Sequence, residues 1–244
     1  MKILEIQNVS KVFADGTCAL NKVSFAINQG DFLVIGGSNG SGKSVLMSII
    51  AELEDPSDGE VLNHCAKFGI SEKIGLVFQD QDAQILGETV ADDVRFGLKS
   101  LKLPKEHIAE IVDKTLQDCG IFHKKHAPAR LLSGGEKRRL AVAGVLAMSC
   151  EVIIFDEPFA NLDWQGVKDV CAILQKLKQS GKTLIVLTHE LEKIIGLANK
   201  FVVLNKGEIR FDGTPAQGLT QDLAQWNIRN PLVVNQQITD LVWL

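Results

Sequence analysis

The sequence predicts an α/β fold: a largely parallel sheet with helices on both faces, preceded by an antiparallel β-subdomain and interrupted by a helical subdomain. Three observations predict it. Short apolar runs recur at residues 32–35 (FLVI), 74–78 (IGLVF), 152–155 (VIIF), 184–187 (LIVL) and 201–204 (FVVL), the pattern of strands buried on both faces. Between them lie helical patterns with three- and four-residue spacing, clearest in Ile108, Ile111, Val112, Thr115, Leu116, Cys119 and in Val167, Val170, Cys171, Leu174, Leu177. Ahead of the first run, residues 2–28 alternate instead (Ile3, Ile6; Val23, Phe25, Ile27) and break at Asp15-Gly16, as antiparallel strands do.

In chain order, the run at 32–35 ends in glycines and passes into a helical pattern from Lys43, so a buried strand, a tight loop and a helix are expected. Residues 80–149 carry no strand signal and read as the helical subdomain. Asn205-Lys206-Gly207 followed by residues 208–211 reads as a hairpin turn and a strand. Beyond Thr214 the pattern weakens, which divides the chain into a domain at 1–213 and a short tail at 214–244. No internal repeat or low-complexity segment is visible.

With 244 residues, 45% of them apolar, the chain can bury one substantial core and a smaller lobe. A net charge of -4 supplies no excess of Lys and Arg for general nucleic-acid binding. Five cysteines (Cys18, Cys65, Cys119, Cys150, Cys171) lack a CxxC pair and are odd in number, so they read as buried thiols in a reducing cytosol, not as a disulfide framework or zinc site. The N-terminus lacks the apolar segment of a secretory signal, and no window approaches the roughly 18 to 20 apolar residues of a spanning helix. Any membrane role is expected to come through another chain. His123 and His126 have no Cys or carboxylate company and sit beside Lys124 and Lys125, which places them on a solvated face. Trp164, Trp226 and Trp243 read as core or interface packing residues.

Three motifs carry chemistry. Residues 37–44, GSNGSGKS, fit the phosphate loop G-x-x-x-x-G-K-[ST] between a strand and a helix. Gly37, Ser38, Asn39, Gly40, Ser41 and Gly42 would turn backbone N–H groups inward as an anion nest, Lys43 would reach the outer phosphates, and Ser44 would ligate magnesium. Residues 152–157, VIIFDE, end a strand in two acids. Asp156 is placed to orient the magnesium ion and Glu157 to polarise an attacking water as general base; alone, the pair also fits a charged helix N-terminus. Residues 132–136, LSGGE, open a helix expected to begin near Lys137 and form either a second anion site or an ordinary cap.

Together and in this order the three motifs resemble the ABC ATPase family, whose signature is usually Leu-Ser-Gly-Gly-Gln; the resemblance covers nearly the whole chain. It implies an ATP-binding, ATP-hydrolysing P-loop NTPase that uses Mg2+ and closes as a dimer on two nucleotides. It further implies that Ser133, Gly134 and Gly135 contact the nucleotide of the partner subunit, that Gln79 is the Q-loop glutamine sensing magnesium and water, and that Asp163, in Ala160-Asn161-Leu162-Asp163, belongs to the D-loop at the dimer interface. His189 resembles the switch histidine at the γ-phosphate, although a lone His after a strand is otherwise an ordinary solvated residue. Phe13 stands where the family commonly stacks a tyrosine on adenine; this chain has no tyrosine, so it offers a ring face without a hydroxyl. Glu136 in place of glutamine puts a carboxylate near ATP, for which Lys137, Arg138 or Arg139 is expected to compensate.

Residues 77–98 and 132–148 further resemble the ATPase subunits of energy-coupling factor importers and the related cobalt and nickel uptake systems. That subfamily usually follows the Q-loop glutamine with Asn-Pro and two acids, whereas here Asp80-Gln81-Asp82-Ala83-Gln84 follows. The resemblance implies a peripheral subunit on the cytoplasmic face of the cell membrane, a homodimer or a dimer with a paralogous ATPase. It also implies integral membrane partners docked near Asp82, Gln84 and Leu86, and uptake of a vitamin or metal ion. A competing class, a soluble ABC ATPase acting on nucleic acid or ribosomes, needs a long coiled coil or two cassettes; the stretch between Gln79 and Ser133 is too short for the first, and the chain holds one set of motifs. A nonhydrolytic nucleotide sensor is disfavoured because no catalytic position is degenerate.

Overall fold

The computed structural model describes residues 1–99 and 103–232; Trp243 and the end of the tail lie outside the described residues. Strands β1 (Lys2–Val12) and β2 (Cys18–Asn28) form the expected antiparallel pair. The five apolar runs become β3 (Phe32–Gly36), β5 (Ile74–Val77), β6 (Val152–Asp156), β7 (Thr183–Thr188) and β8 (Lys200–Asn205), joined in parallel. Strand β9 (Glu208–Gly213) closes the edge antiparallel to β8, after a turn in which Lys206 (φ 51°) and Gly207 (φ 75°) are both left-handed, as a two-residue hairpin requires. The large sheet runs β5-β6-β7-β3-β8-β9.

The unbroken apolar runs are explained by what lies on each face. Along β3, Phe32 and Val34 point into one core while Leu33 and Ile35 point into the other. The same alternation splits Ile153 and Phe155 from Val152 and Ile154, and Leu184 and Val186 from Ile185 and Leu187. One face packs on the antiparallel sheet and on helix α1 (Lys43–Ile50) through Leu46, Met47, Ile49 and Ile50. The other packs on helices α3 (Val90–Leu98), α4 (Lys105–Asp118), α5 (Gly134–Ala147) and α6 (Trp164–Gln179). The short helix α2 (Gln81–Gln84) precedes these. Helices α2 to α5 fill the stretch between β5 and β6 where strand signal is missing.

Several expectations are corrected. An unforeseen strand, β4 (Asp58–Asn63), pairs with β1 and gives the small sheet the order β2-β1-β4. Its residues DGEVLN are exposed or half-buried, so no apolar alternation announces them; the long-range pairing with β1 makes the strand. Helix α5 starts at Gly134, not near Lys137, because Ser133 caps it. After Thr214, helix α7 (Pro215–Gly218) and a single turn at Leu223–Trp226 fold back, burying Leu223 and Ile228 and pressing Gly218 so close to the Phe201 ring that a Cβ there would lie 2.3 Å from it.

Of the cysteines, Cys65, Cys119 and Cys150 are buried, but Cys18 is exposed and Cys171 half-buried. Trp226 packs half-buried on the larger core, whereas Trp164 is 78% exposed and is not a core residue of this chain. His123 and His126 are exposed. Among the described residues no helix is long and apolar enough to cross a membrane.

Candidate active site

The sheet order determines which motifs meet. Strand β7 lies between β3 and β6, so the phosphate loop, His189 and the two acids emerge side by side from the same edge of the sheet, the edge where open α/β sheets bind ligands. The loop is held tightly. A Cβ on Gly37 would lie 2.4 Å from the Leu204 carbonyl oxygen, and Gly42, at φ 103°, approaches within 2.6 Å of the Ala19 carbonyl in the same sense. The Gly207 N–H donates to the Ser41 carbonyl at 3.0 Å, tying the loop to the β8–β9 turn. Gly42 caps α1 without a side chain, which leaves the first-turn N–H groups for an anion.

The charged groups are close-packed. Lys43 Nζ donates to the carbonyls of Gly37 (2.7 Å) and Ser38 (3.2 Å) and lies 3.4 Å from Glu157 Oε1. The other Glu157 oxygen is 3.0 Å from His189 Nδ1. Glu157 Oε1 and the Ser41 hydroxyl are buried without a hydrogen-bond partner. The Glu157 backbone is left-handed (φ 42°), a strained state for a side-chain-bearing residue, held by its N–H donating to the Leu187 carbonyl at 2.9 Å. Ser44 Oγ donates to Asp156 Oδ2 at 3.3 Å while Asp156 Oδ1 is buried and unpartnered. Burial raises the Asp156 carboxyl above its ordinary range; the Ser44 hydrogen bond opposes this, the Glu157 charge adds to it, and Lys43 opposes it.

Gln79, exposed at the end of β5, lines a cleft of about 310 Å³ with residues 39–45 and Glu157. Thr17, Cys18 and Ala19 line it too. No local signal marks these three, since the folding of β2 against the phosphate loop brings them there. After Gln79, Asp80 takes over as helix cap, accepting the Asp82 N–H at 2.9 Å, so the turn forms without a proline. Phe13 is 38% exposed in the β1–β2 loop, with Lys11 Nζ 5.7 Å from its ring centroid.

Two predicted elements stand apart. Ser133 and Gly134 are exposed, and none of Ser133, Gly134 or Gly135 lines the cleft; the Ser133 hydroxyl accepts the Glu136 N–H (3.4 Å) and Glu136 Oε2 accepts the Ser133 N–H (2.8 Å), a complete capping box. The Ser133 N–H, with help from Lys124, holds the Glu136 carboxyl below its usual range. Compensation therefore comes from Lys124, 3.6 Å away, and not from Lys137, which pairs with Asp82 (2.6 Å), Arg138, which donates to the Pro158 carbonyl, or Arg139, which pairs with Asp169 (2.6 Å). Asp163 also lies outside the cleft lining and caps α6 by accepting the Gly166 N–H at 2.7 Å.

A phosphate loop after β3, paired acids at the end of β6 two strands away and a capped Ser-Gly-Gly helix start on an inserted helical unit define a P-loop ATPase with a signature motif. The chain belongs to the ABC transporter family, whose sequence profile matches residues 20–160, and within it is an ATPase that couples hydrolysis to transport. It is 38% identical to the energy-coupling factor transporter ATP-binding protein EcfA of Carboxydothermus hydrogenoformans, over 95% of this chain and 88% of the relative. It is likewise 38% identical to EcfA2 of Thermotoga maritima, over 86% and 82%. Among solved structures, cbiO1 from Clostridium perfringens, described as part of the ABC transporter complex cbiONQ, superposes with a TM-score of 0.80 at 34% identity, covering 94% of this chain and 96% of that one.

Proposed function

We propose that the chain is one ATPase subunit of an energy-coupling factor type importer for a vitamin or metal ion, bound peripherally at the cytoplasmic face of the membrane. It works as a homodimer or with a paralogous ATPase, docked on integral membrane subunits. The observation that carries the reading is the division of the site: the phosphate loop, Gln79 and Glu157 line one cleft, while none of Ser133, Gly134 and Gly135 lines it and Ser133 and Gly134 are exposed. A second chain that brings its own signature to this cleft completes the site, and ATP between them holds the dimer closed.

In that site the N–H groups of residues 37–44 and the Lys43 ammonium take the phosphates. Ser44 Oγ and the unpartnered Asp156 Oδ1 are oxygen donors suited to a hard cation, and Gln79 is a third. These residues would hold Mg2+, which would supply neutralisation of the charge on the outer phosphates. Glu157, with one oxygen held by His189 and the other free of hydrogen bonds, accepts the proton of the attacking water. His189 contacts the γ-phosphate and Asp163 the partner chain.

Phe13 supplies the adenine's stacking face. Phe13→Ala is expected to weaken ATP binding by about 1 to 2 kcal/mol through lost stacking, with a smaller change in turnover at saturating ATP. Fluorescent-nucleotide titration measures it, and unchanged affinity would assign the adenine to another ring or to none.

We place the docking surface at Leu86 and Phe96. Gln84 spends its amide on the Phe78 N–H (3.0 Å) and Leu76 carbonyl (2.8 Å), and Asp82 pairs with Lys137, whereas Leu86 (63% exposed) and Phe96 (50% exposed) line an apolar groove of about 300 Å³. A coupling helix of the membrane partner fits here. Leu86→Asp with Phe96→Asp is expected to leave basal ATPase intact and to abolish solute uptake by the reconstituted complex. Uptake that stays fully coupled would place docking elsewhere and sink the transport assignment of this face.

A further inference from the structure

Arg138 is a buried charge that the roles above leave unused. It lies about a turn and a half into α5, beyond the Ser133 cap, and is 2% exposed. Burial lowers its pKa to about 10, so it stays protonated at neutral pH. It forms no ion pair among the described residues, its Nε has no hydrogen-bond partner, and its one hydrogen bond runs from Nη1 to the carbonyl of Pro158. A buried guanidinium without a counter-ion is costly, and an apolar residue of similar volume packs more cheaply.

What the arrangement holds is the turn after β6. Glu157 sits there in its left-handed conformation, and such a conformation persists only where neighbours over-determine it. Pro158 has no N–H to offer, so its carbonyl is the backbone group at that residue by which the turn can be gripped. The Glu157 N–H is anchored to Leu187, the Glu157 carbonyl accepts from the Ala160 N–H at 3.1 Å, and Phe159 is 1% exposed. Among the described residues Arg138 supplies the side-chain hydrogen bond to Pro158, and it comes from the helix that begins at the signature.

We infer that Arg138 is a positioning residue for hydrolysis: through the Pro158 carbonyl it sets the Glu157 carboxylate, linking the signature helix to the chemistry of its own chain. The inference rests on Glu157 being the general base. A displacement of α5 when the signature engages nucleotide is thereby passed directly to the turn that carries Glu157, and a misplaced base costs rate without costing nucleotide affinity.

The test compares Arg138→Met, Arg138→Lys, Glu157→Gln and the double variant Arg138→Met/Glu157→Gln in the full chain, assembled as the wild-type ATPase is. Arg138→Met is expected to lower kcat on the order of 10- to 100-fold while KM and nucleotide affinity stay within about threefold. Arg138→Lys, which keeps a donor, recovers part of the rate, and the Met substitution has no added effect in the Glu157→Gln background. Near-normal kcat in Arg138→Met overturns the proposal, as does an equal slowing in both backgrounds. A fall in Tm with unchanged kcat per nucleotide-binding site makes Arg138 merely structural and overturns it too. If Arg138→Met does not fold, Arg138→Lys reads the same split, with kcat down and affinity unchanged supporting the role and both unchanged refuting it. Wild-type turnover by Glu157→Gln is a different result: it removes the general base itself, and the role of Arg138 falls with it.

Discussion

Glu157→Gln is expected to bind ATP and fail to turn it over, with kcat reduced on the order of 10²- to 10⁴-fold. The size of the effect follows from what the substitution spares. The phosphate loop, the Lys43 contacts with Gly37 and Ser38, and the Ser44–Asp156 bond do not involve the Glu157 side chain. An amide can still bond His189 across the present 3.0 Å, but it cannot take a proton from water. Removing the carboxylate also removes a negative charge 3.4 Å from Lys43, freeing that ammonium for phosphate, and relieves the repulsion that helps raise Asp156. ATP affinity is therefore unchanged or higher, and an ATP-held dimer accumulates, visible by size-exclusion chromatography with light scattering. Steady-state turnover near wild type would show that another group activates the water.

A mixture of two inactive variants is expected to regain ATPase activity. Lys43→Ala empties the phosphate loop of its ammonium, and Ser133→Arg puts bulk and charge on the exposed cap of α5. Each homodimer has two damaged sites. In the mixed dimer one site combines both lesions, and the other joins an intact phosphate loop to an intact signature. Random assembly restores up to about a quarter of normal sites if the two act independently. Where the chain requires a paralogue, the same logic applies to variants distributed between the two subunits. No recovery in demonstrably exchanged dimers means that the sites are not shared or that both must fire together. Disulfide trapping separates these outcomes: with the exposed Cys18 replaced by Ser, Ser38→Cys and Gly135→Cys cross-link between chains in an ATP-dependent way only if the site is shared.

The phosphate loop, the five buried strands, the paired acids and the cap at Ser133 were legible in the sequence because each depends on neighbours a few residues away. An apolar run ending in glycine, or a serine followed three residues later by Glu136, has a local physical cause and leaves a local pattern. The family resemblance extended this to Gln79, Asp163, His189 and Phe13, none of which has a pattern of its own. Strand β4 was missed because an edge strand of exposed and half-buried residues has no apolar face to display.

The sequence by itself thus determined which groups are available: a glycine-rich loop at a helix start, the Lys43 ammonium, the Ser44 hydroxyl and the paired carboxylates Asp156 and Glu157. Only the tertiary structure decided how these groups are apportioned. It set β7 between β3 and β6, which brings His189 against Glu157. It brought Thr17, Cys18 and Ala19 into the cleft, gave the neutralisation of Glu136 to Lys124, and sent Arg138 inward to the Pro158 carbonyl. It also kept the signature outside the cleft of its own chain. Each of these is a contact between segments far apart in the chain, formed by the packing of sheet against helix, and periodicity of neighbouring residues carries no record of such contacts.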